Sequence, residues 1–238
     1  TSRFFAESRY NCMIGDRIYG IPITAGSQIL FYRADLFEDP KLMSMFQEKY
    51  QISLRPPRTW TEFNNIAKFF TKKYNADSPT EFGTSLAGGP EPELSPEIMI
   101  RLWGFGGGVW DSYGQPALNT VANANALANM VQTLNYVKPE SMESTIEDTV
   151  DDFCNGKTAM LLSFTEFAQK ISFQYQRNLR QRIGFYHIPS RRTASAGWSL
   201  GLNPFSPHRE EAFEFLSWVC EQKTSFLLAV LNGAPQFV

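Results

Sequence analysis

The sequence has few of the residues that form disulfides or bind metals. Its three cysteines, Cys12, Cys154 and Cys220, stand far apart among apolar neighbours, and only two histidines are present, His187 and His208. Cysteines without paired spacing form neither a disulfide framework nor a zinc knuckle, and two histidines are too few for a histidine-rich metal site. We therefore expect buried free thiols, and we predict neither a metal nor another cofactor.

An excess of charge and a long apolar run are also lacking. The net charge is −2, and the longest apolar run, near FLLAVL (226–231), is far shorter than a membrane span. No nucleic-acid-binding signature is present, so no nucleic-acid partner is predicted. A cluster of arginines is expected to form a solvated surface, with nucleic-acid contact as the lesser alternative: Arg177, Arg180, Arg182, Arg191 and Arg192. Because residue 1 is threonine rather than methionine, we expect that the natural beginning has been cut off or processed, so the missing signal peptide says little about location.

Catalytic signatures are missing as well. The sequence contains no G-x-S-x-G nucleophile elbow and no zinc-binding helix motif, and no histidine follows Cys154 closely. The pair Asp151 and Asp152 is typical of an exposed helical turn. A glycosidase-like pair of carboxylates, Asp111 with Glu166, stays open as an alternative, although nothing around either residue indicates a raised pKa. The protein is therefore predicted not to be an enzyme.

What the sequence does have is a glycine-rich stretch, GFGGG, at residues 104–108. A dinucleotide fingerprint needs G-x-G-x-x-G before a helix, but position 109 is Val and a turn-forming sequence, VWDSYGQP, follows. No Gly-Lys-Ser/Thr follows either, so a phosphate-cradling loop is rejected. We predict that these glycines allow tight backbone geometry and that Gly114 turns a small hairpin before a helix at 119 or 120.

Strand-like and helix-like patterns alternate along the chain, which predicts an α/β fold. Apolar runs predict strands at 29–32, 158–164, 182–188 and 198–203. Thr59 and Glu62 have the spacing of a capping box before a helix with apolar residues at i, i+3 and i+4. A second helix is predicted to turn Leu127, Met130, Val131 and Leu134 inward. A third is predicted to begin at Ser206-Pro207 and to turn Ala212, Phe215, Leu216 and Val219 inward.

Six segments, taken in order, resemble one family, the extracellular solute-binding proteins of ABC importers that include maltose-binding protein. They are IYGIPITAGSQILFYRADLF (18–37), PPRTWTEF (56–63), WGFGGGVWDSYGQPALNT (103–120), FCNGKTAMLLSF (153–164), RIGFYHIPS (182–190) and GWSLGLNPFSPHREEAFEFLSWV (197–219). Each segment is a weak motif alone, but together they extend over nearly the whole chain.

The resemblance implies a periplasmic-binding-protein-like (type II) fold with two α/β lobes that flank a cleft. Residues 1–28 and 197–238 would be parts of an incomplete first lobe, and residues 29–196 would be most of the second. The chain would cross between the lobes near Pro22–Ile29 and return near Ala196–Leu200, with the two passages side by side. It would then be a fragment of a longer protein.

The resemblance also implies which residues bind the ligand. Candidates at the first passage are Thr24, Gly26, Ser27 and Gln28. Trp198 is the leading candidate at the return, because a Trp beside Gly there is poorly placed for either core. Ser163, Phe164, Thr165 and Glu166 follow a predicted strand, where the family commonly has Gly-x-Trp, so this departure leaves the stacking residue open. Trp110 is a candidate wall residue. The alternatives are that Trp110 packs its hairpin, that Gln28 is an exposed strand residue and that Glu166 is a surface carboxylate.

By this resemblance the protein binds a small solute, a sugar or oligosaccharide, and delivers it to the membrane permease of an ABC transporter by hinge closure. It would act in the periplasm or outside the cell, anchored to the membrane through a lipidated N-terminus that this chain lacks. The alternative is a ligand-sensing domain of the same fold in a signalling or regulatory protein. A carbohydrate-active enzyme that uses Asp111 and Glu166 ranks third.

Overall fold

The structure is a computed structural model, and it describes residues 6–90, 92–179 and 182–232. The helices are α1 (Ala6–Tyr10), α2 (Ala34–Phe37), α3 (Pro40–Tyr50), α4 (Trp60–Phe69), α5 (Leu94–Gly104), α6 (Val121–Thr133), α7 (Ile146–Cys154), α8 (Ala168–Leu179), α9 (Arg209–Val219) and α10 (Gln222–Asn232). The strands are β1 (Met13–Ile14), β2 (Arg17–Ile18), β3 (Ile21–Pro22), β4 (Gly26–Arg33), β5 (Met160–Phe164), β6 (Ile183–Tyr186), β7 (Ser195–Ala196) and β8 (Ser199–Leu200). Short 3-10 helices include Thr165–Phe167 and Pro189–Arg191.

The described residues divide into two compact units. The first unit comprises those within 1–28, 164–169 and 195–238, and the second comprises those within 29–163 and 170–194. The lobes expected from the sequence have other bounds, because residues 164–169 and 195–196 belong to the first unit. The assignment of these units to the two lobes of the family stays a prediction.

The second unit contains the larger apolar core. Its part of β4 lies between β5 and β6, and Phe31 pairs with Phe185 in the antiparallel β4–β6 ladder. Every residue of β5 is buried, as expected for a continuous apolar run in the middle of a core. Helices α3 and α4 add Phe46, Trp60 and Phe63 to the same cluster. The predicted strands at 29–32, 158–164 and 182–188 are therefore confirmed, with small differences at their ends.

Helix α4 begins as its sequence predicts. The Thr59 hydroxyl accepts a hydrogen bond from the Glu62 backbone N–H at 3.1 Å, which satisfies one free donor of the first turn. The Glu62 carboxylate does not return to the cap. It accepts instead from the Arg58 backbone N–H at 2.8 Å and from both terminal nitrogens of Arg55. Partial burial opposes ionisation, yet these hydrogen bonds lower the pKa of Glu62 below its usual value.

The predicted inward faces of two other helices are partly wrong. On α6, Leu127 and Val131 are 46% and 63% exposed, and Leu134 after the helix is also exposed. Asn123, Asn129 and Thr133 are buried with Met130 instead. Their side chains donate hydrogen bonds to the Gly108 carbonyl, the Trp60 carbonyl and Asn64 Oδ1, respectively, which offsets part of the cost of burying polar groups. Helix α9 begins at Arg209 rather than at Ser206-Pro207, and Phe215 is 54% exposed while Leu216 and Val219 are buried.

In the first unit, the two segments predicted to run side by side do so. Strands β3 and β8 pair antiparallel, with Ile21 opposite Leu200. The Ile23 N–H donates to the Trp198 carbonyl at 2.8 Å. Farther along, Gly26 and Ser27 of β4 pair with Ala196 and Ser195 of β7. The strand predicted at 198–203 is shorter than expected, since only Ser199–Leu200 is extended in a ladder.

Candidate functional site

A hydrogen-bonded chain of three residues connects the paired segments of the first unit. The Trp198 backbone N–H donates to Thr24 Oγ1 at 2.9 Å. The same hydroxyl donates to Glu166 Oε1 at 2.9 Å. A threonine hydroxyl has one proton and two lone pairs, so these two bonds fix its direction and hold the carboxylate next to the Trp198 backbone. We call Thr24, Glu166 and Trp198 the relay.

Backbone from β4 supports the relay on one side. The Ser27 N–H donates to Thr165 Oγ1 at 3.2 Å. Gly26 leaves room beside it, because a Cβ at this position would lie 3.0 Å from the Glu166 carboxyl carbon, closer than an ordinary van der Waals contact. The absence of a side chain at residue 26 therefore allows the carboxylate to approach the strand. Glu166 Oε2 accepts no hydrogen bond from any residue that the structure describes, so it can accept one from a ligand hydroxyl.

The Trp198 side chain is 71% exposed although its backbone is paired. Gly197 before it makes the close pairing possible, because a Cβ there would lie 2.4 Å from the Thr24 carbonyl oxygen. Trp198 therefore presents an exposed indole on a residue whose backbone N–H is bonded to the relay hydroxyl, so the relay carries both an apolar ring face and hydrogen-bonding groups. Sugars and polyols present this combination, since their C–H faces are apolar and their edges carry hydroxyls.

Two predicted ligand-binding residues are buried in this structure. Gln28 is 3% exposed on β4, and Phe164 is 8% exposed at the end of β5. Both lie within strands of the sheet, so their side chains offer almost no surface to a ligand. The alternative that Gln28 is an exposed strand residue is wrong for the same reason.

Trp110 belongs to the second unit, in the predicted hairpin. Its backbone forms a bridge with Pro116, and Gly114 turns the loop at φ +75°. The indole is 65% exposed, so the alternative that it packs the hairpin onto the unit is wrong. Asp111 Oδ1 accepts from the backbone N–H groups of Tyr113 and Gln115, which gives this carboxylate a structural role in the turn.

Other candidates for chemistry have unsuitable surroundings. Burial, with the nearby Asp151 carboxylate, raises the pKa of Cys154 to about 11, so the thiolate that a nucleophile requires is disfavoured. Cys12 is buried as expected, whereas Cys220 is only half-buried. No group of His, Cys, Asp and Glu residues suited to a metal ion occurs in the part of the chain that the structure describes. Over the same residues, no helix combines the length and apolar character that crossing a membrane requires.

Sequence reasoning named Thr24 and Glu166 separately but not the bond between them. Their separation of 142 positions gave no local signal. In the sequence, Gly197 stands out only as the neighbour of Trp198. Its structural role is to leave room for the Thr24 carbonyl oxygen, which would lie 2.4 Å from a Cβ at residue 197. A dipeptide that reads as plain surface, Arg191-Arg192, also lines a pocket with Trp103, Gly106, Gly107 and Thr193. The spacing between these segments does not reveal that they meet.

Comparison with known proteins now adds to this geometry. A family model described as bacterial extracellular solute-binding protein matches residues 2–223. The mannitol-binding protein of Pseudomonas aeruginosa is 24% identical in an alignment over 225 residues that covers 91% of this chain and 48% of that protein. The chain spans about half the length of the curated relatives it matches.

Solved structures share the fold. Maltose-bound MalE3 of T. maritima superposes with a TM-score of 0.82 at 22% identity, over 99% of this chain and 59% of that one. An ABC transporter solute-binding protein of Agrobacterium vitis with bound D-mannitol gives a TM-score of 0.77 at 20% identity, over 98% and 54%. The predicted α/β, type II periplasmic-binding-protein-like fold class is thereby confirmed.

Proposed function

Because this chain belongs to the family of bacterial extracellular solute-binding proteins, we propose that the protein binds a small carbohydrate or polyol and delivers it to an ABC transporter. The names of similar proteins support the ligand class, since they bind mannitol, ribitol and tagatose. It acts outside the cytoplasm, in the periplasm or at the cell surface, and it hands the ligand to membrane permease subunits. Anchoring through a lipidated N-terminus stays a prediction.

The observation that carries the proposal is the relay with its exposed indole. Trp198 offers a ring face for the C–H surface of the ligand. Glu166 Oε2 accepts from a ligand hydroxyl while Oε1 is held by Thr24. Because the relay fixes the carboxylate before the ligand arrives, less conformational entropy is lost on binding.

The remaining predicted residues have lesser parts in this proposal. Ser27 and Thr165 hold the backbone beside Glu166, and Gly26 leaves space for its carboxylate. Gln28 and Phe164 support β4 and β5 from buried positions rather than contacting the ligand. Trp110 stays a candidate ligand contact of the second unit.

The proposed activity is binding without catalysis. The Asp111 carboxylate accepts backbone hydrogen bonds within its own turn, and the raised pKa of Cys154 disfavours a thiolate nucleophile. The names of the similar proteins describe binding proteins. This supports transport over the carbohydrate-active enzyme considered from the sequence. Incubation with oligosaccharides should therefore release no shorter products.

Calorimetric titration of the purified protein with mannitol, ribitol, tagatose and maltose tests the ligand class. We expect at least one saturable binder among them. Replacing Trp198 with Ala should weaken its binding about five- to thirtyfold, because a stacked aromatic contributes roughly 1–2 kcal/mol. Trp198→Phe should retain part of the affinity, since it keeps a ring.

The matched control for this test is Phe205→Ala, which removes another exposed aromatic of the same unit. It should leave the affinity unchanged. Glu166→Gln should weaken binding, because an amide accepts a hydroxyl proton less strongly than a carboxylate. Unchanged affinity in the Trp198 and Glu166 variants would reject the site. Binding of another solute class, with no response to any sugar or polyol, would reject the proposed ligand.

A further inference from the structure

A pocket in the second unit brings together an aromatic ring, glycine backbone and two arginines. It is an open hollow of about 560 Å³ that is lined by Trp103, Gly106, Gly107, Arg191, Arg192 and Thr193. Trp103 lies in the last turn of α5, and the arginines follow β6 across the pocket. The sequence predicts that these arginines form a solvated surface. In the structure they also line a concave pocket.

Close contacts that leave no room for side chains fix the glycine wall. A Cβ on Gly104 would lie 2.2 Å from Trp60 Nε1, and one on Gly107 would lie 2.0 Å from Asn123 Oδ1. Gly106 between them adopts φ +84°. These contacts place the loop against α4 and α6, so the wall exists before any ligand binds.

The arginine wall is held in a strained backbone. Ser190 and Arg191 have φ of 66° and 55°, in the left-handed region that non-glycine residues rarely adopt. The Ser190 N–H donates to the Arg58 carbonyl at 2.9 Å, and the Arg191 N–H donates to the Ile188 carbonyl at 3.1 Å. Consecutive residues in this region cost free energy and are often found at functional sites.

His187 orients the first guanidinium. Its Nδ1 lies 3.0 Å from the Ile188 carbonyl oxygen, which can only accept, so Nδ1 carries the proton and Nε2 is an acceptor. Arg191 Nε then donates to His187 Nε2 at 3.2 Å. This bond uses one of the five guanidinium donors and leaves the terminal N–H groups for a ligand.

Neither arginine has a counter-ion among the residues that the structure describes. No carboxylate of the described residues lies within ion-pair distance of either guanidinium, whereas Arg33, Arg55, Arg101 and Arg182 each have one. Two adjacent cations without internal partners in a concave site favour an anion, and guanidinium groups bind carboxylate and phosphate oxygens in a bidentate manner.

The glycine backbone does not supply the anion-binding donors. The N–H groups of Gly106 and Gly107 are bonded to the carbonyls of Trp103 and Leu102, and that of Gly108 is bonded to Asn123 Oδ1. The C-terminal end of α5 carries a partial negative charge of about half a unit, which two full guanidinium charges outweigh. Selectivity for an anion therefore depends on the arginines.

We propose that this pocket binds the acidic group of an anionic sugar, with Arg191 and Arg192 contacting the carboxylate or phosphate and Trp103 contacting the apolar face of the ring. The inference rests on the proposed function, because it assumes that the ligand is a carbohydrate, and it narrows that class. Carboxylate and phosphate present the same chemistry to a guanidinium pair, so the experiment includes both.

Calorimetric titration with D-glucuronate, D-glucose 6-phosphate and D-glucose tests this at low and at physiological salt. One of the two anionic sugars should bind at least about tenfold more tightly than glucose, because hydrogen bonds between charged groups are roughly twice as strong as those between neutral groups. The stronger of the two identifies the acidic group. Arg192→Gln should remove most of the preference, and Arg192→Lys should retain part of it.

Arg209→Gln is the matched control, since it removes an exposed positive charge from the first unit. It should leave the preference for the anionic sugar unchanged. If glucose binds as tightly as both acids, or if the Arg192 variant keeps the full preference, this inference is wrong and the proposed function stands. If none of the sugars and none of the polyols named above bind, both fail.

Discussion

The glycines of residues 104–108 have different neighbours, and those neighbours determine which of them can be replaced. A Cβ on Gly107 would lie 2.0 Å from Asn123 Oδ1, which is held by the Gly108 N–H. A Cβ on Gly108 would have its nearest neighbour at 3.8 Å, an ordinary van der Waals distance. Adjacent residues of one type therefore have different structural roles.

We predict that Gly107→Ala lowers the free energy of unfolding by about 1–3 kcal/mol, the usual effect of overpacking. Gly108→Ala is the matched control and should change it by less than about 0.5 kcal/mol, because the new methyl group has space. Urea unfolding followed by fluorescence measures both. Equal stabilities for the two variants would contradict the contact with Asn123.

At this scale the sequence indicated residue types better than residue partners. It predicted that the glycines allow tight backbone geometry and that Trp198 is poorly placed for a core, and the indole is indeed exposed. It did not predict that Thr24 bonds both Trp198 and Glu166, because the fold brings these residues together from distant positions. Partners of this kind depend on tertiary structure, which local patterns do not encode.

The helices show where local patterns succeed and where they fail. Helix α4 was predicted correctly, because a threonine cap and a regular apolar stripe agree there. The inward face of α6 was partly wrong, because apolarity alone suggested Leu127 and Val131. Asn64, Asn129 and Thr133 form a buried hydrogen-bonded group instead. A polar residue can be buried in place of an apolar one when its polar groups are hydrogen-bonded. The apolar periodicity of a helix does not show which polar residues will be buried in this way.

Helix α7 has a complete capping box that should make its stability depend on pH. Thr145 Oγ1 accepts from the Asp148 N–H at 3.1 Å, and the Thr145 N–H donates to Asp148 Oδ2 at 2.9 Å. Hydrogen bonds from the backbone and the hydroxyl of Thr145 lower the pKa of Asp148. Since the folded state lowers this pKa, the stabilisation is complete above the ordinary Asp value near 4 and is lost as the pH falls through the folded value.

We therefore expect Asp148→Asn to destabilise the protein at pH 7 by about 0.3–1 kcal/mol, the usual contribution of an exposed carboxylate near the N-terminus of a helix. The difference from the native sequence should shrink as the pH falls from 5 to 2. Thermal unfolding across this range measures it. Glu147→Gln is the control, because the Glu147 carboxylate makes no hydrogen bond within the described residues. The change in stability that this variant causes should depend less on pH. A difference for Asp148→Asn that stays constant with pH would show that the charge is not involved.

For the whole molecule, the order of short segments was the informative signal. Six weak motifs in sequence predicted the family, and the match over residues 2–223 confirms it. The division into units was harder to predict, because residues 164–169 continue directly from β5, whose last residue is Phe164, yet group with the first unit. Such grouping depends on contacts between distant segments, including Thr24 with Glu166 and Ser27 with Thr165.

The two units differ in how much apolar surface they bury. The second has a continuous core around Phe46, Phe63 and Phe70, which are fully buried. On α9 and α10 of the first unit, Phe215, Trp218, Phe226, Leu227, Val230 and Leu231 are each more than half exposed. Buried apolar contacts provide most of the free energy that keeps amides closed, so the units should differ in local stability.

Hydrogen exchange of the 238-residue chain without added ligand tests this difference. Amides of α4 and β5 should exchange at least about a hundredfold more slowly than those of α9, because opening them exposes the larger core. Phe63→Ala should speed exchange in α4, as loss of a buried Phe costs about 3–5 kcal/mol. Phe215→Ala, which removes an exposed ring, should leave that exchange unchanged. Equal protection of α9 and α4 would mean that the apolar side chains of α9 are covered in solution.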